Sequence, residues 1–109
     1  MYYVYILRCE DNSLYTGITN DVEKRMNEHF GESDKKAKYT KSHKPKELAA
    51  LWRCNTRNDA LKIEYRLKEL NKKEKENLIE NNIAPESICI KLMDIDFKRV
   101  NTDEIIINH

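Results

Sequence analysis

The sequence predicts an α+β domain: a small three-stranded, mostly antiparallel sheet flanked by helices, in the order β-β-α-β-α-α, with a C-terminal extension. Two patterns carry this. Short runs rich in Tyr, Val and Ile flank a turn cluster near the start, and farther on apolar residues return every three or four positions. Strand and helix patterns within 109 residues leave room for one compact domain.

Tyr2 to Cys9 (YYVYILRC) ends at Glu10-Asp11-Asn12-Ser13, and Leu14 to Thr19 (LYTGIT) resumes in the same style. This predicts a β-hairpin with a loop of roughly three to five residues. Asn20 followed by Glu23 resembles a capping box, with Asp21 in the first turn where the helix dipole favours an anion. Val22, Met26 and Phe30 then predict a helix of about ten residues that stops at Gly31. Residues 32–46 read as a loop with one helical turn near Ala37-Lys38-Tyr39. Glu47 to Cys54 (ELAALWRC) is apolar on both alternating faces, as in a strand covered on both sides, although periodicity alone also permits a helix. From Asn58, Ala60, Ile63, Leu67 and Leu70 form one helical stripe, and Lys73 to Asn81 predicts a second short helix. After Pro85 the pattern weakens: Ile88, Ile90 and Leu92 alternate like a strand, and Ile105-Ile106-Ile107 is apolar. We therefore expect a domain over residues 1–84 and an extension over 85–109.

Composition excludes several classes. Charged residues make up 36% and hydrophobic ones 39%, a polar surface around a small core. The Tyr, Ile and Leu content is too high for a disordered chain. No apolar run approaches the roughly 20 residues of a membrane span, and no leader pattern is visible. Cys9, Cys54 and Cys89 are odd in number and lack any CxxC pair, which argues against a disulfide framework or a zinc knuckle and for a reducing cytoplasm. The net charge of +1 hides an asymmetry, with 17 basic against 14 acidic residues over 1–84 and 3 against 5 over 85–109. Lys35 to Lys46 reads KKAKYTKSHKPK, six lysines and no acid. Such a run either neutralises phosphates or is a solvated loop.

Several positions are chemically loaded. On a wheel with Ala60 at the origin and ~100° per residue, Glu64 falls at about 40°, inside the apolar face. A carboxylate there needs a cation, a metal or strong donors, unless Lys68 at i+4 pairs with it. Arg25 and His29, also i,i+4, border the Val22/Met26/Phe30 stripe. They either serve one ligand together or are a surface Arg beside a half-buried His. Tyr3, Tyr5, Leu7 and Cys9 share one strand face, and Tyr15 and Gly17 share another. Gly17 in mid-strand marks a close approach of ligand or backbone.

Read in order, Tyr3-Val4-Tyr5, Tyr15-Thr16-Gly17, Arg25 with His29, and Glu64 resemble the GIY-YIG nuclease family. Ala37-Lys38-Tyr39-Thr40, Lys44-Pro45 and Glu64-Tyr65-Arg66-Leu67-Lys68 narrow the likeness to its small stand-alone bacterial members, over roughly residues 1–82. Tyr3 and Val4 stand for the first motif's glycine and isoleucine, Thr16 for the second motif's isoleucine, and Ile18 where many catalytic members carry lysine. Glu76 falls near the place of a later family asparagine, and no role is assigned to it.

The resemblance implies metal-dependent hydrolysis of nucleic-acid phosphodiester bonds, with DNA ahead of RNA as partner. Glu64 would hold one Mg²⁺ or Mn²⁺. Tyr5 or Tyr15 would orient or deprotonate the attacking water, Arg25 would stabilise charge on the phosphate, and His29 would assist proton transfer or hold substrate. Lys35, Lys36, Lys38, Lys41 and Lys44 would track the backbone, with Tyr39 able to stack on a base. Two alternatives remain open: a non-catalytic nucleic-acid-binding module on the same scaffold, and a protein-interaction domain. The latter would use Ile88 to Ile107 to form a homodimer or bind a larger partner.

Overall fold

In the computed structural model, which describes residues 1–31, 33–81, 95–105 and 107, one antiparallel sheet of four strands runs in the order β2-β1-β3-β4. The strands are β1 (Tyr2–Cys9), β2 (Leu14–Thr19), β3 (Pro45–Cys54) and β4 (Phe97–Arg99). The helices are α1 (Val22–Phe30), α2 (Lys38–Ser42), α3 (Arg57–Glu69) and α4 (Lys72–Asn81). The predicted order therefore holds, and the sheet gains a strand. β4 lies in the extension and pairs Phe97, Lys98 and Arg99 with Cys54, Arg53 and Trp52. Three residues carry no readable alternation, which is why the sequence pattern did not mark it. The alternation at Ile88, Ile90 and Leu92 falls outside the described residues, as does Cys89. Among the described residues no helix is long and apolar enough to cross a membrane.

The hairpin turns over residues 10–13. The Cys9 N–H donates to the Ser13 carbonyl, the Asp11 carboxylate accepts from both the N–H and O–H of Ser13, and Asn12 takes the left-handed conformation (φ 68°) that Asn tolerates. Its register pairs Tyr5 with Gly17 and Leu7 with Tyr15. Paired numbers sum to an even value, so Tyr5 and Tyr15 lie on the same face.

On the β1–β3 side, Tyr5 pairs with Leu51 and Ile6 with Ala50, but Leu7 pairs with Leu48. Ala49 is thus one residue extra, a bulge that resets the alternation. Leu48 and Leu51 consequently face one core, with Tyr5, Leu7, Val22 and Met26. Ala50, Trp52 and Cys54 face the other, with Val4, Ile6, Ala60, Ile63, Leu67 and Leu78. The doubly apolar run at 47–54 reflects a strand that feeds both sides of the sheet.

The helix caps correct one expectation. The capping box at Asn20–Glu23 does not form. Asp21, the next residue, is the N-cap of α1 and its carboxylate accepts the Lys24 N–H at 3.2 Å. A reciprocal box does form ahead of α4, where the Asn71 side chain accepts from the Glu74 N–H (2.8 Å) and the Glu74 carboxylate from the Asn71 N–H (3.0 Å).

Arginines fasten the α3/α4 face. Arg8 donates to both Glu76 oxygens at 2.7 and 2.6 Å, to Glu47 at 3.0 Å and to Asn12 at 2.9 Å. Arg99 sits 5.2 Å over the Trp52 ring and donates to the Leu78 carbonyl, in the last turn of α4, at 3.1 Å. Glu76 is thereby committed to joining α4 to the hairpin.

Candidate active site

The site is built around the missing side chain of Gly17. A Cβ there would lie 2.5 Å from the Tyr5 hydroxyl and 2.6 Å from Tyr5 Cζ. With only hydrogen at that place, the Tyr5 ring leans across its cross-strand partner on the outer strand β2. The phenol is 1% exposed, and its oxygen lies 2.7 Å from His29 Nε2. His29 is fully buried in the last turn of α1 because the spacing that brings Met26 into the core carries position 29 to the adjacent side of the helix. Its Nδ1 lies 2.9 Å from Thr40 Oγ1, and Thr40 in turn donates to the Ala37 carbonyl at 3.1 Å. Arg25, one turn earlier, lies close enough to act electrostatically on Tyr5, pairs with Glu28 at 2.8 Å and donates to the Lys35 carbonyl at 2.8 Å.

Aromatic rings line the same face. Tyr15 lies edge-on to His29 with centroids 5.7 Å apart. It stacks on Tyr39 at 5.5 Å, and Tyr39 stacks on His43 at 4.0 Å. Tyr39 therefore already has ring partners within the chain.

Glu64 comes from α3, on the opposite face, where that helix lies against β2 and β1. Its side chain is only 18% exposed and sits 3.4 Å from Lys68 Nζ, so the i,i+4 pair forms. The Glu64 charge nevertheless reaches the Tyr5 phenol across the outer strand and disfavours its ionisation.

Burial pushes the Tyr5 phenol well above the ordinary tyrosine range, against the opposing pull of nearby Arg25, so Tyr5 carries its proton. Burial likewise pulls His29 down to about 4, with the positive charges of Arg25 and Lys36 acting in the same direction and Glu28 opposing. The resting pair is a neutral imidazole bonded to a neutral phenol, beside an excess of positive charge.

Tyr5, Tyr15, Arg25, His29 and Tyr39 thus converge, with Lys36 close enough to act on His29 and the carbonyl of Lys35 on Arg25. Lys35, Lys38 and Lys41 are exposed, and Lys44 is turned toward Glu10 of the hairpin loop at 3.9 Å. Sequence reasoning missed Thr40, His43 and Glu28. The i,i+4 spacing of Tyr39 and His43 was a usable signal. The burial of Thr40 inside a lysine run had none.

The donor set bears on the metal. Among the described residues no cluster of three or more His, Cys, Asp or Glu could form a protein cage. One half-buried carboxylate fits a hard cation that keeps its waters and completes its shell with substrate oxygens.

A family model described as the GIY-YIG catalytic domain matches residues 1–77, a span that contains every side chain of this cluster. The chain belongs to the GIY-YIG family. Its relatives include the UPF0213 protein FN1575 of Fusobacterium nucleatum, 49% identical over 72% of this chain and 76% of that protein. The UPF0213 protein YazA of Bacillus subtilis is 42% identical over 83% and 90%. The solution NMR structure of the UPF0213 protein BH0048 from Bacillus halodurans shares 40% identity, covers 85% of this chain and 98% of that one, and has a TM-score of 0.49. In this GIY-YIG chain the first motif lies on β1 and the second on β2. Val4 is fully buried in the α3-side core, and Thr16 fills the isoleucine place with a buried hydroxyl that has no partner among the described residues.

Proposed function

We propose that this chain is a divalent-metal-dependent endonuclease that hydrolyses phosphodiester bonds of nucleic acid, with DNA ahead of RNA. The observation that carries the proposal is the Tyr5 hydroxyl, bonded to His29 Nε2 over Gly17, with the Arg25 guanidinium and the Glu64 carboxylate within electrostatic reach. In that place Tyr5, rather than Tyr15, orients the attacking water. The water oxygen bonds to phosphorus while its proton passes to the Tyr5 oxygen and the Tyr5 proton passes to His29 Nε2. The bond to the leaving oxygen breaks with its electron pair, and that oxygen is protonated from solvent. Arg25 donates to the phosphate as charge builds. An Mg²⁺ or Mn²⁺ held by Glu64 would offset charge on the phosphate and the leaving oxygen. A phosphodiester beside Arg25 and Lys36 also brings one negative charge against the two positive ones that add to burial in holding His29 down, so substrate itself makes the imidazole a better base.

Ile18 favours a second reading, a binding module without catalysis, because many catalytic relatives carry lysine there. Ile18 pairs with Val4 and packs against the α3-side core, away from Tyr5. One experiment separates the two: a panel of single- and double-stranded DNA and RNA with Mg²⁺, Mn²⁺ or EDTA, comparing wild type with Glu64→Gln. The nuclease predicts cleavage that EDTA abolishes and that falls by roughly 10²-fold or more in Glu64→Gln, with metal-free affinity kept or raised. Metal-independent binding without cleavage of any substrate would establish the module instead.

A further inference from the structure

Thr40 lies in the lysine-rich segment between two exposed lysines, Lys38 and Lys41, yet is itself only 1% exposed. Its single hydroxyl hydrogen is directed at the Ala37 carbonyl, 3.1 Å away. Toward His29 the Thr40 oxygen is then an acceptor, so Nδ1 carries the ring hydrogen. Nε2 keeps its lone pair, and the Tyr5 O–H donates to it at 2.7 Å. The reverse arrangement has Thr40 donating to Nδ1 and Nε2–H pointing at Tyr5. With Nε2–H donating to it, the buried Tyr5 hydroxyl has no hydrogen-bond acceptor for its own hydrogen among the described residues. Only the first arrangement gives each of these buried donors an acceptor.

We infer that Thr40 is a positioning residue that holds His29 in the Nδ1–H tautomer, so that Nε2 is ready to receive the Tyr5 proton. The groups facing His29 are Tyr5 from β1, Tyr15 from β2, Arg25 and Glu28 from α1, and Lys36 from the segment before α2. The partner of Nδ1 among the described residues is Thr40. The same short segment also holds Arg25 through the Lys35 carbonyl. The stretch that would track phosphates is therefore bonded to both α1 residues that would act on them. The catalytic meaning of this inference rests on the proposed nuclease activity, whereas the tautomer does not.

The test reads the ring nitrogens directly, by ¹⁵N NMR of the full chain without metal or nucleic acid, with His29→Gln assigning the signals. Wild type should show a protonated Nδ1 and an unprotonated Nε2. Thr40→Ser should keep that pattern. The near-isosteric Thr40→Val should shift it toward Nε2–H, or average the two. In the cleavage assay Thr40→Val should lower kcat by roughly tenfold or more and move the acidic limb of the pH–rate profile. Nucleic-acid affinity should stay unchanged and Thr40→Ser should recover activity. A wild-type ring protonated at Nε2 overturns the inference, and that spectrum needs no variant to fold. An unchanged ¹⁵N pattern in Thr40→Val, or in Thr40→Ala should the valine variant not fold, overturns it too. The expected tautomers with no cleavage by wild type would refute the nuclease proposal and leave the assignment of Thr40 standing.

Discussion

The two faces of the sheet both contain partly buried arginines, and they use them in opposite ways. On the α3/α4 face, Arg8 meets two carboxylates and an amide oxygen, so four of its five N–H donors are taken and its charge is offset. On the α1 face, Arg25 meets one carboxylate and a backbone carbonyl, beside a neutral phenol, a neutral imidazole and Lys36. The Arg8 cluster is closed electrostatically. The Arg25 cluster has positive charge left over where an anion can be received. A polar cluster that serves stability satisfies itself, whereas one that serves chemistry leaves its last partner to come from outside.

The sharpest way to break this contrast is to exchange the symptoms. Tyr5→Phe keeps the ring and should lower cleavage by about 10²–10⁴-fold while costing under about 1.5 kcal/mol of stability. Arg8→Ala should do the reverse, costing about 1–3 kcal/mol in denaturant melts with kcat nearly intact. If Arg8→Ala abolishes cleavage at temperatures where the chain is still folded, the division between the faces fails.

Acid should undo the two faces in separate windows. His29 is held down to about 4 in the folded chain, so from about 6.5 downward the unfolded chain binds a proton that the folded one refuses. Stability is full above that window and declines as pH falls through it. Glu76 is held below the usual carboxylate range, chiefly by its hydrogen bonds from Arg8, so its contribution is present above the ordinary Glu value and lost at lower pH. Melting temperature against pH should therefore lose its upper slope in His29→Gln and keep the lower one. Equal slopes in wild type and His29→Gln would mean that the imidazole is not poised as described.

The smallest effect concerns the lysines. Lys35, Lys38 and Lys41 are exposed, and replacing them with alanine avoids Lys36, whose charge acts on His29. Affinity should weaken alike for all sequences, and the salt dependence should flatten by roughly 0.7–0.9 log units per log salt for each phosphate no longer neutralised. An unchanged slope would make this stretch a solvated loop that serves only to seat Thr40.

Much of the site was legible because it follows period two and period 3.6. Alternation placed Tyr5 and Tyr15, and the wheel put Glu64 inside an apolar face, where its side chain is indeed mostly covered. What escaped depends on single residues or on docking. Asp21 outcompeted Asn20 as cap by one position. Ala49 hid a bulge inside an apolar run. Thr40 became buried only because α2 settles against α1, which no local pattern announces.

The vacancy at Gly17 has a consequence for how this site can vary. Chemistry at most positions is graded: a substitution can be more or less similar to what it replaces. At position 17 the quantity that matters is whether a β-carbon exists, because the first atom of any side chain already lands on the Tyr5 phenol. Alanine, serine and tryptophan are equally far from glycine in this respect. The position therefore has no conservative neighbours.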